Sequence, residues 1–152
     1  MSPPVGDQVP DHLAAGAPEP LTDDLIARVL RGHDYVFTTD SDGDLVGRWD
    51  DNVIYFFRLG DAGEILQVRT TAARVFTIDD VPRLYAFCNA WNHDKLWPKT
   101  FVHVNDDGSA RVCGEVVADL EGGVTPDQLD QLLSCGISTG CQMSDALTEL
   151  KP

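Results

Sequence analysis

Strand-like runs separated by only a few residues dominate positions 35–73, and that spacing limits what the chain can fold into more than any other feature. Turn chemistry punctuates the stretch at Asp42-Gly43, Asp50-Asp51-Asn52 and Asp61-Ala62-Gly63. A parallel crossover needs about a dozen residues, so gaps this short join antiparallel hairpins. Val53-Ile54-Tyr55-Phe56-Phe57 is rich in β-branched and aromatic residues, the side chains that pack well on a pleated surface. The Gly63 hairpin admits two registers. A three-residue loop sets Arg58 beside Leu66; a loop one residue longer or shorter sets Leu59 there instead.

Three other stretches carry helical spacing. The first opens at Thr22, whose hydroxyl can cap free N–H groups, with Asp23 and Asp24 complementing the helix dipole. Leu21 and Ile26 have staple spacing, Leu25, Ile26, Val29 and Leu30 form a stripe, and Gly32 suits the stop. The second runs from about Asp79 to Asn92, with Pro82 tolerable only in its first turn. Its expected core face is Val81, Leu84, Tyr85, Cys88 and Trp91. The third opens with a capping box, Thr125-Pro126-Asp127-Gln128, and places Leu129, Leu132, Leu133, Gly136, Gly140, Met143 and Leu147 on one face.

A second hairpin, turning at Asp106-Asp107-Gly108, lies between the last two helices. Alternation sends Val102, Val104, Val112, Val116, Ala118 and Leu120 to the core. It sends Phe101, His103, Arg111, Cys113, Glu115 and Val117 to the opposite face. The order helix–strands–helix–hairpin–helix is α+β: an antiparallel sheet of five or six strands with three helices mainly on one face. Residues 1–20 hold five prolines and no apolar periodicity, so a disordered tail is expected before a single domain over 21–152.

Charge and motifs narrow the chemistry. Against 25 acids stand 11 bases, a formal charge of −14, and no basic run breaks the excess. Such a field repels nucleic acid and anionic membranes, so neither is expected as a partner. The start of the chain has no secretory pattern, and no apolar run approaches the ~18 residues of a membrane span. A cytoplasmic protein with reduced thiols is expected. Asp40-Ser41-Asp42-Gly43-Asp44, with Asp51 at the twelfth place, resembles a calcium loop. Leu45 occupies the place of its glycine, however, and the flanks read as strands, so a solvated turn is the better account. Cys88, Cys113, Cys135 and Cys141 contain no C-x-x-C pair, and Cys135 and Cys141 do not share a helix face, so no zinc site is expected.

His103 and Cys113 share a sheet face as a base and thiol would, but only diagonally, without the helix N-terminus that lowers thiol pKa values. His93-Asp94-Lys95 and His33 sit at helix ends, where they serve the last carbonyls. Gly136 and Gly140 each cost about 1 kcal/mol relative to alanine within a helix, so close packing must need their missing side chains. Phosphate loops, the nucleophile elbow and H-E-x-x-H are absent from the sequence. Neither catalysis nor a cofactor is expected.

Residues 89–99, Asn-Ala-Trp-Asn-His-Asp-Lys-Leu-Trp-Pro-Lys, join the second helix to the second hairpin. The pattern Trp91-Asn92, Trp97-Pro98-Lys99, a strand, then Gly122-Gly123-Val124-Thr125-Pro126 resembles the YbjN family. Val53 to Arg58 followed by Glu64 to Arg69 resembles that family's central strands. The resemblance spans roughly residues 21–147. It implies a fold similar to type III secretion chaperones and a bacterial sensory transduction regulator linked to stress responses and motility. It brings no catalytic residue. The tail and the Cys135/Cys141 pair fall outside the pattern.

The expectation is a non-enzymatic regulatory or chaperone-like interaction protein. Its surface would include Phe101, His103, Arg111, Cys113 and Val117, meeting a partner protein or a second copy in a homodimer. Trp91, Asn92, Trp97, Pro98, Lys99, Gly136 and Gly140 are expected to be structural. The alternative is a small ligand or reaction in a pocket near Trp91, His93 and Trp97.

Overall fold

The computed structural model describes residues 16–151. Residues 1–15, most of the expected tail, lie outside the described residues. Glu19 exchanges two backbone hydrogen bonds with Val124, 2.9 and 2.8 Å, so the ordered chain begins before residue 21.

Helix α1 spans Asp23–Gly32. Strands β1 (Phe37–Thr39), β2 (Leu45–Trp49), β3 (Asn52–Leu59) and β4 (Ile65–Thr71) follow, then a two-residue β5 (Phe76–Thr77). A 3-10 turn, Ile78–Asp80, leads into α2 (Val81–Asp94). Strands β6 (Lys99–Val104) and β7 (Ser109–Asp119) form the second hairpin, and α3 (Pro126–Thr148) closes the chain. All seven strands join one antiparallel sheet, and the short β5 adds a strand to the five or six expected. β4 lies against β7 rather than β6, so the second hairpin extends the first four strands through its later strand.

Local chemistry sets the helix starts. Thr22 Oγ1 accepts the Leu25 amide at 3.1 Å, and Thr125 and Gln128 form a reciprocal capping box. The Gly63 hairpin pairs Arg58 with Leu66, the register of the three-residue loop. In the other hairpin, His103 faces Arg111 and Phe101 faces Cys113.

All three helices pack on one face. Leu25, Ile26 and Leu30 of α1 meet Ile54, Phe56, Leu66 and Val68 beneath Leu129, Leu133 and Ile137 of α3. Leu84 and Cys88 of α2 meet Phe76, Ala110 and Val112 beneath Met143 and Leu147. One expected stripe is turned. Tyr85 is 56% exposed, while Phe87 is half-buried against the core. Phe87 completes the i, i+3, i+4, i+7 stripe of Leu84, Cys88 and Trp91, whereas Tyr85 lies about 100° around the helix from Leu84. Val104, expected inside, is also exposed, because it lies at the end of an edge strand.

Glycines set the depth of α3. A Cβ on Gly136 would stand 2.5 Å from Val68 Cγ1, and one on Gly140 would strike Thr70 Oγ1. On β7, a Cβ at Gly114 would stand 3.0 Å from Met143 Sδ and 2.6 Å from Pro98 Cγ. Helix and sheet therefore meet backbone to side chain along one line. Gly136→Leu is expected to lower unfolding free energy by about 1–3 kcal/mol through overpacking. Urea denaturation of the two proteins measures the difference.

Candidate functional site

Antiparallel register assembles the helix-free face row by row. Val46, Tyr55, Arg69, Glu115 and Lys99 lie side by side across the sheet. The next row runs Arg48, Val53, Thr71, Cys113 and Phe101, and Arg111 pairs with His103 beyond it. Phe57, Gln67 and Val117 flank the other side. None of these side chains belongs to either core cluster beneath the helices.

The face is structured by its own contacts. The Tyr55 and Phe57 rings stack with centroids 5.0 Å apart and planes 3° apart. Arg69, on β4, reaches across β7 to hold its guanidinium 5.2 Å from the Phe101 ring centroid on β6. Cation–π contacts of this kind stabilise by about 0.5–1 kcal/mol at exposed sites. Cys113, between the two strands and 3.8 Å from Thr71 Oγ1, is only 1% exposed. A residue expected on the open surface is thus its floor. Phe101 and Arg111 are half-buried, while His103 is exposed and Val117 is 51% exposed.

Charge is distributed unevenly. Four of the 11 basic residues, Arg48, Arg69, Lys99 and Arg111, lie on this face. Lys99 Nζ pairs with Glu115 Oε1 at 2.7 Å, and Glu115 also accepts from Gln67. Among the described residues, Arg48, Arg69 and Arg111 have no carboxylate partner. Arg111 instead donates to the Ala72 carbonyl at 3.2 Å. Glu115 and Asp119 are the acids that the strand register places here.

The junction between α2 and β6 is built by polar pairs. Trp91 Nε1 donates to the Pro98 carbonyl at 3.1 Å, and its ring stacks on Phe87. Asn92 Oδ1 accepts from the Thr100 amide at 2.8 Å while its Nδ2 donates to the Thr100 carbonyl at 3.0 Å. Pro98 is buried and Lys99 is exposed. Trp97 turns away, 48% exposed, toward an apolar groove lined by Val116, Val117, Leu120, Leu132 and Cys135. His93 is exposed and pairs with Asp94 at 2.8 Å. Trp91, His93 and Trp97 therefore point in separate directions, and neither Trp91 nor His93 lines the Trp97 groove.

A family model described as "YbjN: Putative bacterial sensory transduction regulator" matches residues 22–149. The chain belongs to the YbjN family. Its fold is similar to the crystal structure of YbjN, described as a putative transcription regulator, from E. coli. That similarity has a TM-score of 0.74 at 17% identity and covers 90% of this chain and 100% of the other. No curated protein matches the chain in sequence. At that identity the structural likeness establishes the YbjN fold alone.

The remaining reactive groups of this YbjN domain lie apart from the helix-free face. Burial pushes the Cys88, Cys135 and Cys141 thiols above the ordinary thiol pKa. Asp40, Asp42 and Asp44 gather in the β1–β2 turn, where Asp40 Oδ1 accepts the Asp42 and Asp44 amides, each at 2.9 Å. Burial first, then Asp40 and Asp42, raises the Asp44 pKa. His33 joins α1 to α3 by pairing with Asp130. No helix of the described residues is long and apolar enough to cross a membrane.

Sequence patterning groups Phe101, His103, Arg111, Cys113 and Val117 but misses Arg69, Tyr55 and Phe57. Their membership depends on β4 lying beside β7, which no local signal encodes.

Two outcomes follow. Trp91→Ala is expected to destabilise by about 2–3 kcal/mol, below the ~3–5 of a fully buried tryptophan, measured by urea unfolding. Iodoacetamide at pH 8 is expected to alkylate the native protein at least about tenfold more slowly than the urea-unfolded chain, because raised thiol pKa values and burial limit the thiolate. Mass spectrometry after quenching counts the adducts; fast native labelling of one cysteine would mark a reactive thiol.

Proposed function

We propose that the protein is a non-enzymatic regulator that works by docking a partner protein on the helix-free face of its sheet. The observation that carries this reading is the gathering, on one face of a strongly acidic molecule, of arginines without carboxylate partners among the described residues and of half-buried aromatic rings. Acidic side chains elsewhere keep the protein apart from nucleic acid and anionic lipid, while this face attracts an acidic segment of a partner. The family's description as a sensory transduction regulator and the absence of sequence motifs for catalysis support the same reading. The transcription role printed for the E. coli relative would then operate through a protein partner, because −14 charges oppose direct contact with DNA. A homodimer closed through this face is disfavoured, since a twofold axis would bring two cationic faces together.

The test uses Phe101→Asp. It places a carboxylate beside Arg69, cancelling charge and removing the ring at once. Circular dichroism is expected to show a folded variant, because the position borders solvent. A protein captured specifically by the parent from native lysate, identified by mass spectrometry, should bind the variant at least about tenfold more weakly. A folded variant that binds the same partner equally well would exclude this face. Light scattering of a parent dimer abolished in Phe101→Asp would instead establish the second copy as the occupant.

A further inference from the structure

A recess of about 530 Å³ opens on the helix-free face, within the ordinary volume range of small-molecule sites. Thr71 and Cys113 form a low floor between larger neighbours, and Arg69, Arg111, His103, Asn105, Val53, Tyr55 and Phe57 complete the lining. Not one lining residue is acidic, in a chain where acids outnumber bases 25 to 11. Two guanidinium groups without a carboxylate partner share the rim with an imidazole, while the stacked Tyr55 and Phe57 rings give one apolar wall. Glu115, opposite Arg69 on β7, is engaged by Lys99 and Gln67 and does not line the recess, so a ligand anion there would give the two guanidinium groups a partner of their own.

We propose that this recess binds a small organic dianion, a dicarboxylate or a phosphate monoester with a compact apolar body. Arg69, whose guanidinium lies over Phe101, and Arg111, which spends one terminal nitrogen on the Ala72 carbonyl, keep further N–H donors for a carboxylate or phosphate. Thr71 and Asn105 supply neutral hydrogen-bonding groups, and the aromatic wall takes the ligand's apolar part. The site shares Arg69 and Arg111 with the proposed partner docking, but dianion binding is read on the isolated chain without any partner. Either can fail while the other stands.

The experiment is a titration at pH 8 of the full, 15N-labelled chain with the dianions succinate and inorganic phosphate, and with the trianion citrate, each alone, against sodium chloride at matched ionic strength. The expected result is saturable shifts at the amides of Arg69, Thr71, Arg111 and Cys113 with at least one dianion and not with chloride. Phosphate alone would indicate phosphate esters, and succinate or citrate alone would indicate carboxylates. Arg69→Gln with Arg111→Gln should weaken binding about tenfold or more. If thermal melting shows that this double variant does not fold, His103→Glu, at an exposed rim position, should weaken it instead. Equal shifts with chloride, shifts centred elsewhere, or undiminished binding by a folded variant would overturn the proposal. So would a response confined to a tetraglutamate peptide, which would assign the recess to an acidic protein segment. Saturable dianion shifts in the parent, beside partner capture that Phe101→Asp leaves unchanged, would keep the recess while removing the docking.

Discussion

The contact between α3 and the middle of the sheet determines the rest of this molecule. Gly136 rests on Val68 and Gly140 on Thr70, while Met143 meets Gly114. Removing side chains along this line lets a 23-residue helix lie close to two adjacent strands. Each helical glycine costs about 1 kcal/mol of helix propensity, offset by packing that only the missing Cβ permits. Once α3 is seated there, α1 and α2 find apolar ground on either side of it, in two clusters on the same face. Among the described residues the opposite face receives no helix, and its properties follow from that exclusion.

An uncovered sheet face must satisfy its own side chains, and this one does so partially. Tyr55 and Phe57 stack, Arg69 lies over Phe101, and Lys99 meets Glu115. These contacts shield Cys113 and give the face a fixed relief, yet leave three arginines without carboxylates. Excess negative charge elsewhere makes the local positive field more selective, because a diffusing anion is repelled by the rest of the surface. The buried thiol of the face is not paired with a base: the imidazole of His103 belongs to the neighbouring row.

Much of the fold is legible in sequence because local chemistry and global packing agree. Thr22 and Thr125 announce their helices by capping, short Asp/Gly turns dictate antiparallel strands, and Gly108 fixes the register that sets His103 beside Arg111. Failures occur where only tertiary packing decides. Tyr85 is the exception, because the spacing of Leu84, Phe87, Cys88 and Trp91 already marks Phe87 for the core. Arg69 escapes notice because it meets Phe101 across 32 positions of chain, through a strand order that no periodicity reveals. The Trp91–Lys99 stretch is distinctive in sequence, yet its residues separate in space. Trp91 and Asn92 tie helix to strand, while Trp97 faces a different groove.

The central claim is that one sheet face is both accessible and locally cationic on an acidic protein. Paramagnetic relaxation of side-chain and amide protons by anionic, neutral and cationic chelates measures both properties at once. The neutral chelate should relax Phe57, Arg69, Phe101 and Val117 but leave Ile54, Val68 and Val112 untouched. The anionic chelate should concentrate at Arg69, Arg111 and His103, and the cationic one should avoid them while crowding the rest of the surface. Equal relaxation by all three chelates, or protection of the β4–β7–β6 face from the neutral one, would contradict the account.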